Sequence, residues 1–122
     1  MKAAVLTTQP AIQIKEVQRP QIKAGEVLVA AELAGICGSD GSIFHGKYDK
    51  PCPIIPGHEA VDRVLATGSV ANRFEFGQRV TIHPNYSCGE CALYQQGLRN
   101  ICSANRTIAV RADLPGAVTD NA

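Results

Sequence analysis

Tryptophan is absent from this sequence, and tyrosine and phenylalanine supply three residues each. A core built from it must rest on Val, Ile, Leu and Ala. No run of apolar residues is long enough to cross a bilayer, and Met1–Leu6 is too short for the apolar part of a signal peptide. A cytoplasmic location is the expectation. No run of basic residues occurs, and 12 Lys and Arg nearly balance 11 Asp and Glu. Electrostatics therefore gives no reason to expect a nucleic acid or an anionic membrane as partner. Glycine-x-glycine is also absent, so no dinucleotide-binding turn can be read in these residues.

The sequence has 122 residues, 45% of them hydrophobic and 19% charged. That is one domain's worth of ordinary globular composition. A chain of this size hides roughly two-thirds of its unfolded surface on folding, so a core without disulfides is feasible. Five cysteines is an odd number, and they fall at positions 37, 52, 88, 91 and 102. In a reducing compartment, such cysteines near His and Glu point to metal binding or chemistry rather than to cross-links.

The pattern predicts short strands punctuated by Gly and Pro. Ala3–Leu6 and Ile12–Val17 read as strands, the second half-exposed because apolar and polar residues alternate. Glu26–Ala34 reads as a buried strand. Ser39–Phe44 suits one helical turn with Ser39 or Asp40 as cap. Glu59–Ala66 and Arg79–Ile82 are further strands. Residues 84–105 form a loop-like lobe, and Thr107–Val110 a last strand. The expected fold class is mainly β and barrel-like, with short helical turns.

Two stretches carry the chemistry: Gly35-Ile36-Cys37-Gly38-Ser39-Asp40 and Gly57-His58-Glu59. Singly, Cys37 reads as a small buried hydrophobe and His58-Glu59 as a surface pair. Together they place a thiol, an imidazole and a carboxylate about twenty residues apart, a gap that strand–loop–strand geometry can close. A catalytic zinc takes three such ligands and keeps one position open. Gly35, Gly38 and Gly57 would let the backbone turn tightly beside the ion.

These motifs, with GEVLVAAELAGICGSD, PIIPGHE and FEFGQRVTIHPNYSCGECALYQQGLRNIC in order, resemble the zinc-dependent medium-chain alcohol, sorbitol and threonine dehydrogenases over residues 1–110. The resemblance implies a GroES-like catalytic domain, a partly open β-barrel spanning 1–122 and shortened near its C-terminal end; a Rossmann NAD-binding domain is not expected within these residues, since GxGxxG is absent from them. It implies zinc on Cys37, His58 and Glu59, with NAD(P) as hydride acceptor and a small alcohol or polyol as substrate. Ser39 would pass the alcohol proton outward, Asp40 would orient His58, and His45 would extend the relay. The alternative is a non-catalytic GroES-like zinc-binding or interaction module.

In this family a second lobe holds a structural zinc through four cysteines spaced C-x2-C-x2-C-x7-C. The series here is Cys88, Cys91, Tyr94, Cys102, with tyrosine in the third place. The expected site is incomplete, and Glu90 or a water would have to finish it. A full structural zinc site contributes about 10–16 kcal/mol in small peptides, and one missing thiolate removes much of that. Cys52, between Pro51 and Pro53, receives no role. Residues 111–122 resemble the family poorly. Apolar surface left facing the cleft favours self-association, so a homo-oligomer is expected.

Overall fold

The computed structural model describes residues 1–48, 52–71, 73–109 and 116. The chain runs β1 (Lys2–Thr8), β2 (Ala11–Glu16), β3 (Val27–Gly35), α1 (Gly38–Phe44), β4 (Glu59–Thr67), β5 (Arg79–Thr81), β6 (Asn85–Tyr86), α2 (Ala92–Gln95), a 3-10 turn at Arg99–Ile101, and β7 (Arg106–Thr107). Strands dominate, as the sequence predicts. They pair as three antiparallel sheets, β1-β2, β3-β4-β5 and β6-β7, rather than as one closed ladder. An isolated bridge between Leu6 and Ile54 ties the first hairpin to the segment after α1.

The β3/β4 ladder is the longest and positions the site. It pairs Val27 with Thr67 at one end and Gly35 with Glu59 at the other. Its register shifts twice. Leu65 of β4 is skipped between the Leu28–Ala66 and Val29–Val64 pairs, and Glu32 of β3 between Ala31–Asp62 and Leu33–Val61. Each skipped residue is a bulge that bends its strand. Glu32 turns out to meet two arginines, its carboxylate accepting from Arg63 Nε at 2.6 Å and Arg79 Nε at 3.0 Å. Those arginines hold the Glu32 carboxyl below the usual carboxylate range, the Arg63 hydrogen bond first.

A small core cluster of Leu6, Ile43 and Ile54 joins β1, α1 and the following segment, with Phe44 and Cys52 packed against it. Burial of such side chains stabilises by about 1.5–3 kcal/mol each. Cys52 is therefore a packing residue of this cluster. Gln9 adds a polar clamp: its Nε2 donates to the Ile43 carbonyl at 2.7 Å and to that of Tyr48 at 2.9 Å. These contacts fix α1 on one side and leave its first turn facing β4.

Several expectations need correction. β3 is not buried: its residues are half-buried or exposed, and Leu33 is 72% exposed. The physical reason is its place at the edge of the sheet, with β4 in the centre. Ile12 and Ile14 of β2 are both exposed, so the alternation of residue types does not become alternation of burial. The cap of α1 is neither Ser39 nor Asp40. Cys37 holds the N-cap position in extended conformation, and Asp40 reaches back to its N–H at 2.9 Å. The last strand ends at Thr107, because Ala109 adopts a positive φ of 64° that a strand cannot contain. Val110 and residues 111–115 and 117–122, on which the expected strand end and tail fall, lie outside the described residues.

Candidate metal centre

Gly35 and Glu59 are cross-strand partners at the end of the β3/β4 ladder. Cys37 follows Gly35 by two residues and His58 precedes Glu59 by one, so the register itself brings the two motifs together. Cys37 Sγ, a ring nitrogen of His58 and a carboxylate oxygen of Glu59 all lie within 4.8 Å of one another. Cys37 and His58 are half-buried and Glu59 is exposed. One sulfur, one nitrogen and one oxygen at this spacing suit a zinc ion with ligand distances of about 2.0–2.3 Å.

The glycines act differently from one another. Gly57 has φ 96°, a conformation that L side chains rarely adopt, and it turns the chain into His58. Gly35 instead clears room: a Cβ there would stand 3.2 Å from Glu59 Oε2. Gly38 has open space around it.

Asp40 links the two halves of the site. One carboxylate oxygen accepts the Cys37 N–H, and the other lies 3.3 Å from His58 Nδ1. A proton held on Nδ1 by Asp40 leaves the Nε2 lone pair free for a ligand. Ser39 Oγ stands 3.3 Å from that Nε2. Thus Ser39 and Asp40, adjacent on the first turn of α1, address opposite nitrogens of one imidazole. His45 is placed elsewhere, exposed at the C-cap of α1 with its ring edge-on to Phe44 at 5.0 Å. Beside the site opens a cleft of about 460 Å³, lined in part by Leu33, Gly35, His58, Glu59, Val61 and Ile82.

The second cysteine group also converges. The Sγ atoms of Cys88, Cys91 and Cys102 lie within 4.8 Å of one another. Cys102 is 3.4 Å from Cys88 and 3.6 Å from Cys91, sulfur to sulfur. Each sulfur accepts a backbone N–H at 3.3 Å: Cys88 from Cys91, Cys91 from Tyr94, and Cys102 from Cys88. The Cys91 thiol is pushed down to about 6, first by the Tyr94 N–H and then by the backbone of Ser103. For Cys102 the Cys88 N–H pulls downward, but burial and the two neighbouring thiols outweigh it and raise the thiol. Glu90 is exposed and does not join the cluster. Ser103, whose hydroxyl also bonds Cys91, went unnoticed in the sequence; its place directly after Cys102 is the only signal it offers.

One further acidic group has no place in either cluster. Asp62, in the middle of β4, is 1% exposed, and its Oδ2 has no hydrogen-bond partner. Burial pushes its carboxyl up, with the nearby Glu32 charge adding to the shift.

Comparison with known proteins agrees with this geometry. The family model for the alcohol dehydrogenase GroES-like domain matches residues 23–121, running past the point where the sequence motifs stop. The chain is 42% identical over 106 residues to an alcohol dehydrogenase of Geobacillus stearothermophilus, covering 84% of this chain and 31% of that protein. It is 37% identical over 106 residues to the sorbitol dehydrogenase of Bacillus subtilis strain 168, covering 84% and 30%. Among solved structures it is similar to a protein of Sinorhizobium meliloti 1021, assigned as a zinc-binding dehydrogenase and bound to NADP. There the TM-score is 0.87 and the identity 34%, over 94% of this chain and 33% of that one. The chain spans about a third of the length of these relatives. Among the described residues no helix is long and apolar enough to cross a membrane. The chain belongs to the alcohol dehydrogenase GroES-like domain family, the catalytic-domain family of zinc-dependent alcohol and polyol dehydrogenases.

Proposed function

We propose that this chain is the metal-carrying part of a dehydrogenase that oxidises a small alcohol or polyol with NAD(P). The observation that supports it most is the meeting of Cys37, His58 and Glu59 with Ser39 beside the same imidazole. Zinc held by those three ligands supplies a Lewis acid that makes a hydroxyl group more acidic. A nicotinamide dinucleotide, such as the one bound to the Sinorhizobium relative, supplies the hydride acceptor.

The chain's own residues do the rest. Asp40 fixes the ring of His58 and, through the Cys37 N–H, the backbone of the thiolate ligand. Ser39 Oγ accepts the proton of the substrate hydroxyl and passes it outward. The cleft beside Glu59 holds the carbon skeleton, with Leu33, Val61 and Ile82 as its apolar wall. Leu33 and Ile36, at 72% and 87% exposure, form an apolar rim to be covered by further protein surface in the working enzyme.

Ser39→Ala in an enzyme containing this chain tests the relay. The expected result is a fall in kcat of about 10²–10⁴-fold with the zinc content unchanged. An unchanged kcat with zinc retained would remove Ser39 from the chemistry.

A further inference from the structure

The lobe at Cys88–Cys102 is shaped for a metal, but its donor set does not fit the tetrahedral zinc that the family implies. Structural zinc takes four protein ligands. Among the described residues three thiols come together here, and no further Cys, His, Asp or Glu joins them. Tyr94 holds the sequence position of the missing thiolate. It is engaged otherwise: its N–H bonds Cys91 Sγ, and its ring faces the Arg99 guanidinium at 5.0 Å.

What is present is well organised. Three sulfurs stand together on a frame of backbone N–H donors from Cys88, Cys91 and Tyr94. The backbones of Ser103 and Ala104 add to that frame, as does the Ser103 hydroxyl. Charge-assisted bonds of this kind offset the negative charge of clustered thiolates. A doubly charged ion with three sulfurs still needs a fourth ligand from solvent, which is easily lost. A soft, singly charged ion is satisfied by three sulfurs, leaves more negative charge behind, and depends on those amides to balance it. Thiolate sets select such soft ions.

We infer that Cys88, Cys91 and Cys102 form a three-thiolate site for Cu(I), which it holds in preference to Zn(II). The site is independent of the Cys37–His58–Glu59 centre and of the dehydrogenase reading.

The test uses the unaltered chain and a Cys37→Ser variant that disables the first site, both kept reduced and free of oxygen. Cu(I) is titrated against a Cu(I) chelator, and Zn(II) against a zinc chelator. The expected result for Cys37→Ser is one Cu(I) per chain, three sulfur neighbours by X-ray absorption, and loss of Zn(II) on dialysis. Adding Cys52→Ser leaves this unchanged. Adding Tyr94→Cys, which restores the fourth thiolate, raises zinc affinity about 100-fold or more and makes zinc survive dialysis. The inference is overturned if the lobe with Tyr94 retains zinc as firmly as the Tyr94→Cys lobe. It is equally overturned if Cys88→Ser binds Cu(I) as tightly as the intact trio.

Discussion

The two cysteine clusters of this chain are assembled by opposite means. Cys37, His58 and Glu59 are gathered by a nine-residue strand pairing with another nine-residue strand, and their positions follow from the register at the ladder's end. Cys88, Cys91 and Cys102 are gathered by a short α-helix, a 3-10 turn and two-residue strands. The first centre mixes sulfur, nitrogen and oxygen and relies on a carboxylate, Asp40, to orient its imidazole. The second has sulfur alone, and backbone amides orient it. A centre held by side chains is sensitive to single substitutions around it. A centre held by main chain is sensitive to its ligands and to little else.

The largest expected effect follows from removing a ligand of the first centre. Cys37→Ser should abolish zinc retention there while the thiols of the lobe titrate as before. Metal analysis together with a thiol count checks this, and a parallel loss of lobe thiol reactivity would break the distinction. Asp40→Ala comes next. It should weaken metal binding at the first centre by about 10–100-fold through loss of the His58 partner. It should also cost α1 about 0.5–2 kcal/mol through loss of the capping bond. Competition with a zinc chelator and chemical denaturation read the two effects separately.

Asp62→Val removes a buried oxygen without a partner and should stabilise the β3/β4 ladder by about 1–3 kcal/mol. The pH dependence has a definite sign. The Asp62 carboxyl is raised in the folded chain, so its cost is absent below its ordinary value and appears as pH rises toward the raised one. Denaturation of the unaltered chain should show that decline, and Asp62→Val should not. The smallest effect belongs to Glu32→Gln on the exposed Arg63–Glu32–Arg79 pairs. Glu32 is lowered, so its contribution is present above the ordinary carboxylate value and fades as pH falls through the lowered one. A small, salt-sensitive drop in Tm near neutral pH checks it.

Much of this was legible in the sequence. The strand at Glu59 begins where it was expected, and the β3 strand falls within a residue of its expected bounds, because apolar β-branched runs between Gly and Pro leave little alternative. Sheet order was not legible, and so β3 was expected in the interior when it lies at an edge. The pairing of Gly35 with Glu59 could not be read either, since register depends on bulges that no periodicity announces. In the lobe the fine structure of α2 and β6 was hidden, because Gly, Asn, Ser and Cys there carry no hydrophobic period, whereas β7 was expected but lies at Arg106–Thr107 rather than Thr107–Val110. The cysteine spacing still marked the cluster. The cap of α1 was misjudged because Cys37 is not among the usual capping residues, although Asp40 three residues later is the reciprocal half of that motif.

The two bulges in the β3/β4 ladder sit on opposite strands, and together they cancel. Leu65 adds a residue to β4 and Glu32 adds one to β3, so the offset between the strands is the same at Gly35–Glu59 as at Val27–Thr67. Side chains alternate faces along a strand, so one uncompensated insertion reverses the parity of everything beyond it. With only the first bulge, Glu59 would face Gly35's neighbour instead of the gap that Gly35 leaves for it. Deleting Glu32 or Leu65 takes out only the unpaired residue, so Gly35 should stay opposite Glu59 and the metal centre should persist on a straighter ladder. An extra residue forced into either strand with no bulge to absorb it should instead slip the pairing by one and scramble the metal centre from a distance.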